Sequence, residues 1–356
     1  MSSPRWCDTP ATRVLGLRIP IMLGAFGGVS SVALTAAVSN SGGLGAYGLY
    51  GYDGERILAT ARELAAATTN PLALNLWLPH DGDHGVRPDA AEFDSHVAAL
   101  AGYFDEVGLP LPQRPHSYLP PFDEQFEAVL EAGPAVVSFV FGVPSREVVG
   151  LAREAGIITM GTATTVAEAV ALEAGGVEVI IASGMEAGGH RVSFLDTAEN
   201  SLVGTFALIP QVVDAVGVPV IAAGGIADGR GVAAALTLGA SGVQVGSAFL
   251  ATEQSAAAPG YRAALRGPGG AQTVLTRAPS GRLARGIRNR LTEETQIAPF
   301  PVQNWITGRF RSVAAERDLT DIMSLWAGQA SPLIAETDAR ALVDRLVSDA
   351  TPLLPA

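Results

Sequence analysis

The sequence predicts a closed (β/α)8 TIM barrel of the α/β class, carrying a small C-terminal helical subdomain. Two observations predict it. Eight short apolar runs alternate with helical patterns between residues 20 and 251. The runs are apolar throughout rather than alternating, as expected of parallel strands covered by helices on their outer face. Length agrees: 356 residues, 48% hydrophobic, are enough for a large core, and α/β barrels run long as single units. An open, doubly wound sheet is the competing architecture, because periodicity alone does not show closure.

The elements follow in order. The first strand is "PIMLGAF", Pro20 to Phe26, and the helix "SSVALTAAVSNSG" follows, opened by Ser30 or Ser31 as N-cap and closed by Gly42. Next come the strand "LGAYGLYG", the helix "DGERILATARELAAAT" and the third strand "LALNLWLP", ending at Pro79. A polar, proline-rich insertion, residues 80–121, breaks the rhythm and holds one helix, "DAAEFDSHVAALAGYFDEVG"; insertions of this length are usually functional. The alternation resumes with strands at "AVVSFVFG", "IITMGTAT", "VEVIIASG", "VPVIAAGGI" and "SGVQVGSAFLA". The barrel thus occupies residues 1–251. Residues 252–320 carry Arg, Gly and Pro without strand signals and read as a small helical subdomain. Residues 321–356 read as helices packing back on the barrel.

Composition excludes several chemistries. Net charge is −12 with no basic run, which argues against nucleic-acid binding. The 23 basic residues are all arginine, so no lysine is available for a Schiff base or a pyridoxal-phosphate linkage. The single cysteine, Cys7, permits no internal disulfide, in keeping with a reducing compartment. The N-terminus has no signal-peptide core, and no apolar run reaches the roughly 18 residues of a membrane span. The expectation is a soluble, cytoplasmic protein.

Barrel active sites form where the strands end. Here the ends are "GAFGG", "NLWLP", "FGVP", "GTATT", "SGMEAGGH", "AAGGIADG" and "QVGSAF". This rim is rich in Gly, Ser, Thr and Asn and poor in carboxylates. Such a rim presents backbone N–H groups and small hydroxyls to a ligand. "GGIADGRG" and "VGSAF", after the seventh and eighth strands, place glycines where backbone can approach a phosphate, and a helix starting near Asp228 adds its dipole. Simple turn glycines are the plainer explanation for any one of them. "HDGDH" sets His80 and His84 four apart, but among glycine and proline rather than on a helix, so it reads as a solvated loop and no metal site is expected.

Taken together, "PIMLGAFGG", "SNSGGLGAYG", "LNLWLP", "EAGGHR", "VPVIAAGGIADGRG" and "QVGSAFLA" resemble the nitronate monooxygenases, formerly 2-nitropropane dioxygenases, and "SGRLARGIRNR" and "MSLWAGQ" extend the likeness. The resemblance implies an FMN-dependent barrel that oxidises nitroalkanes or nitronates with O2 to a carbonyl compound and nitrite. It implies that Gly24, Ala25 and Phe26 line the flavin and that Asn75 touches it. Thr162 lies where some members carry a lysine. The resemblance further implies that Ser183 and Gly188 contact flavin or phosphate-side groups around the sixth strand, and that Gly224, Gly225, Gly246 and Ser247 cradle the FMN phosphate. His190 is the implied base, a role suited to a side chain that titrates near neutrality; Glu186 suits it less, since a carboxylate repels an anionic substrate. Two positions depart from the family's habit: Phe26, where many members have Met, and Ser183, where Gln or Asp is usual. The implied partners are a small nitronate or nitroalkane and O2, with no nucleic acid or membrane and a homodimer as an admissible assembly. An FMN-dependent NAD(P)H oxidoreductase, of the enoyl-ACP reductase or quinone reductase kind, and a non-catalytic flavin-binding protein remain open alternatives.

Overall fold

A computed structural model of the chain describes residues 4–79 and 88–355. The "HDGDH" stretch lies outside the described residues. The eight barrel strands are β1 (Ile21–Leu23), β2 (Gly45–Gly48), β3 (Leu72–Trp77), β4 (Val136–Val140), β5 (Ile158–Ala163), β6 (Val179–Ser183), and, after a two-residue strand β7 (Gly189–His190) outside the barrel, β8 (Val220–Ala223) and β9 (Gly242–Val245). All pair in parallel, in the order β1-β9-β8-β6-β5-β4-β3-β2. The last gap is closed by a parallel bridge between Met22 and Leu44, where Leu23 N–H donates to Leu44 O at 2.9 Å and Leu44 N–H donates to Ile21 O at 3.1 Å. An open sheet is thereby excluded.

Local chemistry starts the helices where the sequence places them. Ser31, rather than Ser30, caps the helix Val32–Asn40 by accepting from Leu34 N–H. Ser30 instead pins the loop after β1 to the end of β2, because its Oγ accepts from Gly48 N–H at 3.0 Å and donates to Phe26 O at 2.8 Å. Asp53, Ser145, Thr165 and Asp228 cap four further helices as Ser31 does.

Aliphatic residues of the strands and of the helices outside them form the main core, in which Ile21, Leu34, Val136, Ile180, Ile221 and Val243 are fully buried. The terminal helix Ala339–Ala350 belongs to it, lying against the helix Gly229–Thr237 through Leu342, Val343 and Leu346. A second core lies beyond the barrel mouth. Phe93, Val97, Leu100 and Phe104 of the insertion pack with Tyr261, Leu265, Ile306 and Phe310. The insertion and the segment after the barrel therefore make one cap.

That segment is helical over Pro259–Arg266 and Val302–Glu316, but it also contains an antiparallel hairpin of β10 (Thr273–Thr276) and β11 (Ala284–Ile287). The absence of strand signal over 252–320 misleads because each strand has only four residues, and β11 finds its second partner in β7, where Ala284 faces His190. Among the described residues no helix is long and apolar enough to cross a membrane.

One buried polar group ties two rim loops together. Glu168 is fully buried, and its side-chain oxygens accept from Thr164 N–H at 2.6 Å, Thr164 Oγ1 at 2.7 Å, Phe194 N–H at 2.6 Å and Leu195 N–H at 3.3 Å. Removing it strands several buried donors, so Glu168→Ala is expected to lower unfolding free energy in urea by about 3 kcal/mol. A loss below about 1 kcal/mol, the net worth of a single ordinary hydrogen bond, would show that the loops hold without it.

Candidate active site

A cavity of about 990 Å³ opens at the C-terminal ends of the strands, beneath the cap. The twelve residues singled out in the sequence all line it: Gly24, Ala25 and Phe26 after β1, Asn75 on β3, Thr162 on β5, Ser183 on β6, Gly188 and His190 in the turn beyond, Gly224 and Gly225 after β8, and Gly246 and Ser247 after β9.

The turn after β6 is held from three sides. Arg191, 2% exposed, donates to Gly184 O at 2.7 Å and to Ser183 O at 2.9 Å. Burial lowers its pKa to about 10, against the raising influence of Glu168 and Glu186. Arg285 on β11 donates from Nε to Met185 O at 2.9 Å. Glu186 accepts from Thr205 N–H and from Thr205 Oγ1, at 2.9 and 2.8 Å, fastening the turn to the start of the helix Thr205–Ala215. Glu186 is thus a structural tie rather than a base. Gly188 is required by packing: a Cβ there would lie 2.6 Å from Ala327 C and Gly328 N. The close approach its small size allows is to the cap's backbone.

His190 stands at the end of this turn. Its ring contacts Trp77 at 5.1 Å and Trp326 at 5.3 Å, centroid to centroid, with Phe141 at 6.3 Å. Nε2 lies 2.8 Å from Ser280 Oγ. Ser280 Oγ also accepts from Arg282 N–H and donates to Arg282 O at 3.2 Å. A neutral ring has one N–H and one lone pair; with the Ser280 proton given to Arg282 O, the ring proton sits on Nε2 and the lone pair on Nδ1. Burial, and secondarily the charge of Arg311, push the His190 pKa down to about 3. The imidazole is neutral throughout the physiological range.

Against this turn, in the loop after the neighbouring strand β8, Gly224 and Gly225 adopt φ of 101° and 71°, backbone that only glycine takes without strain. Among the described residues no acceptor takes the N–H of Gly225, Gly246 or Ser247. These amides are available to an anion. The helix Gly229–Thr237 is not, because its first amides are already taken: Asp228 Oδ1 accepts from Arg230 and Gly231 N–H at 3.0 and 3.1 Å. The dipole expected near Asp228 is therefore capped by the chain's own carboxyl group, held below the usual range mainly by Arg230. Phe26 lies beside this end, its ring within 3.9 Å of where a Gly246 side chain would start. Asn75 donates Nδ2 to Ser138 Oγ at 3.0 Å, which leaves Oδ1 without a donor among the described residues.

These features match known proteins over the whole chain. The sequence model described as nitronate monooxygenase matches residues 8–349. The chain belongs to the nitronate monooxygenase family. It is an enzyme of the oxidoreductase class. A probable nitronate monooxygenase of Staphylococcus haemolyticus is 37% identical over 98% of this chain and 99% of its own length. A counterpart from Staphylococcus aureus strain MSSA476 is 36% identical over 96% and 97%. Among solved structures, nitroalkane oxidase from Streptomyces ansochromogenes superposes with a TM-score of 0.85 at 35% identity, covering 97% of this chain and 99% of that one. FabK from Thermotoga maritima superposes with a TM-score of 0.75 at 28% identity, covering 97% and 96%. The family match takes in the cap as well as the barrel.

The ends of β2, β3 and β4, together with the cap, bring residues that sequence reasoning missed. Tyr50 stacks on Trp77 with centroids 4.3 Å apart, and Trp77 packs on Phe141 at 4.7 Å, whose φ of 69° is unusual for a non-glycine residue. Arg282 lies over the rings of Phe141 and Phe300 at 3.8 and 4.0 Å. Asn304, Arg311 and Ser324 reach the same cavity from the cap. Trp77, Ser280 and Trp326 lie within the family-like strings "LNLWLP", "SGRLARGIRNR" and "MSLWAGQ", but nothing local in the sequence marks Arg311 as a neighbour of His190.

The depressed His190 pKa makes a stability prediction. An unfolded histidine takes up its proton near pH 6.5, the folded one only near about 3, so the unfolded state binds more protons between those values. The stability linked to this group is complete above pH 6.5 and is lost as pH falls below it. His190→Asn is expected to flatten the acid side of the stability-pH curve measured by urea unfolding. A variant curve parallel to wild type between pH 6.5 and 4 would contradict the burial of a neutral ring.

Proposed function

We propose that the protein oxidises alkyl nitronates, and nitroalkanes after removing their α-proton, with O2 and with FMN as cofactor, giving a carbonyl compound and nitrite. The observation that carries this reading is a neutral imidazole with a free lone pair, facing the same cavity as an unpartnered set of backbone amides. The residues fit the cofactor. Gly225, Gly246 and Ser247 N–H groups would hold its phosphate, Asn75 Oδ1 would accept from its ring, and 990 Å³ is at the upper end of the usual few hundred to about 1,000 Å³ of small-molecule sites. FMN, when bound, supplies the electron relay between nitronate and O2.

The chain's own part begins with the proton. His190 Nδ1 accepts it from the α-carbon of a nitroalkane while Ser280 and the Arg282 backbone keep the ring in the tautomer that can do so. Neutrality is what the role requires, since a protonated ring could not accept the proton. The aromatic wall of Tyr50, Trp77 and Trp326 covers the alkyl part of the substrate and keeps water from the reacting carbon.

A nitronate supplied ready-made needs no base. His190→Asn is therefore expected to lower kcat/KM for a nitroalkane by about 100-fold or more while leaving that for the matching nitronate within a few-fold. Equal losses for both would remove His190 from the proton step. The cofactor and reaction class are tested together by the visible spectrum. Purified protein should carry a flavin band that bleaches when a nitronate is added without oxygen. Bleaching by NADPH and not by a nitronate would assign the chain to nicotinamide-dependent chemistry instead.

A further inference from the structure

We propose that Arg311 and the hydroxyl of Tyr50 hold the two oxygens of the substrate's nitro group, so that the charge released at the α-carbon is received on the cap side of the cavity. This rests on the nitronate reading above and names the residues that would make it work.

Donor arithmetic leads to the pair. A guanidinium has five N–H groups. In Arg311, Nε donates to Thr307 Oγ1 at 3.1 Å, one N–H of Nη1 donates to Ser324 Oγ, and Nη2 donates to Asn304 Oδ1 at 2.7 Å and Asn304 O at 3.3 Å. Four donors are used and one, on Nη1, is left. Every partner is neutral, and among the described residues no carboxylate pairs with this arginine. A cation withdrawn from solvent without a counter-ion is costly to maintain, and an anionic ligand is one thing that offsets the cost.

Asn304 sets the second donor. Its Oδ1 faces Arg311, so its Nδ2 donates to Tyr50 Oη at 2.8 Å. The tyrosine oxygen is thus an acceptor toward Asn304, and its own proton has no acceptor among the described residues. Burial keeps the phenol protonated, with its pKa raised to about 12 despite Asn304, Arg282 and Arg311. Arg311, Asn304, Tyr50 and His190 all line one cavity, and Trp77 touches both Tyr50 and His190.

The step balances. The α-C–H bond breaks, its proton goes to His190 Nδ1, the electron pair forms the C=N bond, and the N=O pair moves onto nitro oxygen, where Arg311 and Tyr50 donate. Preformed donors in a dry site are worth most where charge develops. The same positive charge lowers the basicity of His190, so it weakens the base while strengthening the acid. Among the described residues Arg311 is the charge that acts on His190, while Tyr50 and Arg282 approach it across the Trp77 ring.

The test compares wild type with R311M, R311K and Y50F, using butyrate, a carboxylate of similar shape to an alkyl nitronate, in calorimetric binding, and propyl-2-nitronate and 2-nitropropane in turnover. R311M is expected to weaken butyrate and to lower kcat/KM for the nitronate by roughly 100-fold, with partial recovery in R311K and a loss of about ten-fold in Y50F. R311M should also move the acid limb of the 2-nitropropane profile to higher pH, since the base loses a repelling charge; a purely structural arginine would not shift it. Unchanged butyrate affinity and nitronate turnover in R311M overturn the proposal. So does loss of bound flavin with butyrate affinity intact, which would give Arg311 to the cofactor. If R311M does not fold, R311K and Y50F decide: wild-type butyrate affinity in both overturns it. A wild-type enzyme that binds butyrate through Arg311 but never turns over a nitronate would defeat the function above while leaving an anion site in place.

Discussion

The site depends on one buried cation gripping the turn after β6. Arg191 fills the space behind that turn and binds the carbonyls of Ser183 and Gly184. Carbonyls turned toward the guanidinium cannot face the cavity, and the small residues Ser183, Ala187, Gly188 and Gly189 line it. With Arg285 on Met185 and Glu186 on Thr205, the turn has little freedom left. Its last residue, His190, is then delivered under Trp77 and Trp326 and against Ser280. The cost is a desolvated arginine, offset by several hydrogen bonds and the nearby charges of Glu168 and Glu186.

Charge is distributed across the cavity by the same logic. The loops after β8 and β9 offer backbone amides, the cap offers the Arg311 guanidinium and the loop after β2 the Tyr50 phenol, and the base lining the same cavity is uncharged. A lysine-free chain has arginine as its only strong permanent cation, and Arg191, Arg282, Arg285 and Arg311 supply it around this site. Arginine's planar fork suits such places, because several neutral acceptors can share one charge while a donor is left over for a ligand.

The barrel was legible in the sequence because its signals are local. Apolar runs ending in Gly, Ser or Thr mark both the strands and the rim they build, and the twelve site residues that the family resemblance implies all line the cavity at that rim. Closure was not legible, since it rests on a single bridge between Met22 and Leu44. The cap was legible only in part. Its hairpin consists of two four-residue strands whose third partner, β7, has two residues, too few for any periodicity to register. Arg311 lies 121 positions from His190 in the numbering of the chain and reads there as one arginine among many. Its neighbours in space, Asn304 and Tyr50, come from the cap and from just beyond the second strand. Gly188 lines the cavity, and its absent side chain also makes room for Ala327 and Gly328, a packing demand no local pattern in the sequence reveals.

The account stands or falls on the state of His190. Nitrogen-15 resonances of the labelled imidazole, followed from pH 8 to pH 4 in wild type and assigned by His190→Asn, report its charge and tautomer directly. A ring that stays neutral to pH 5 with its proton on Nε2 is the predicted result. A ring that titrates near 6.5 as an ordinary histidine, or carries its proton on Nδ1, would contradict it.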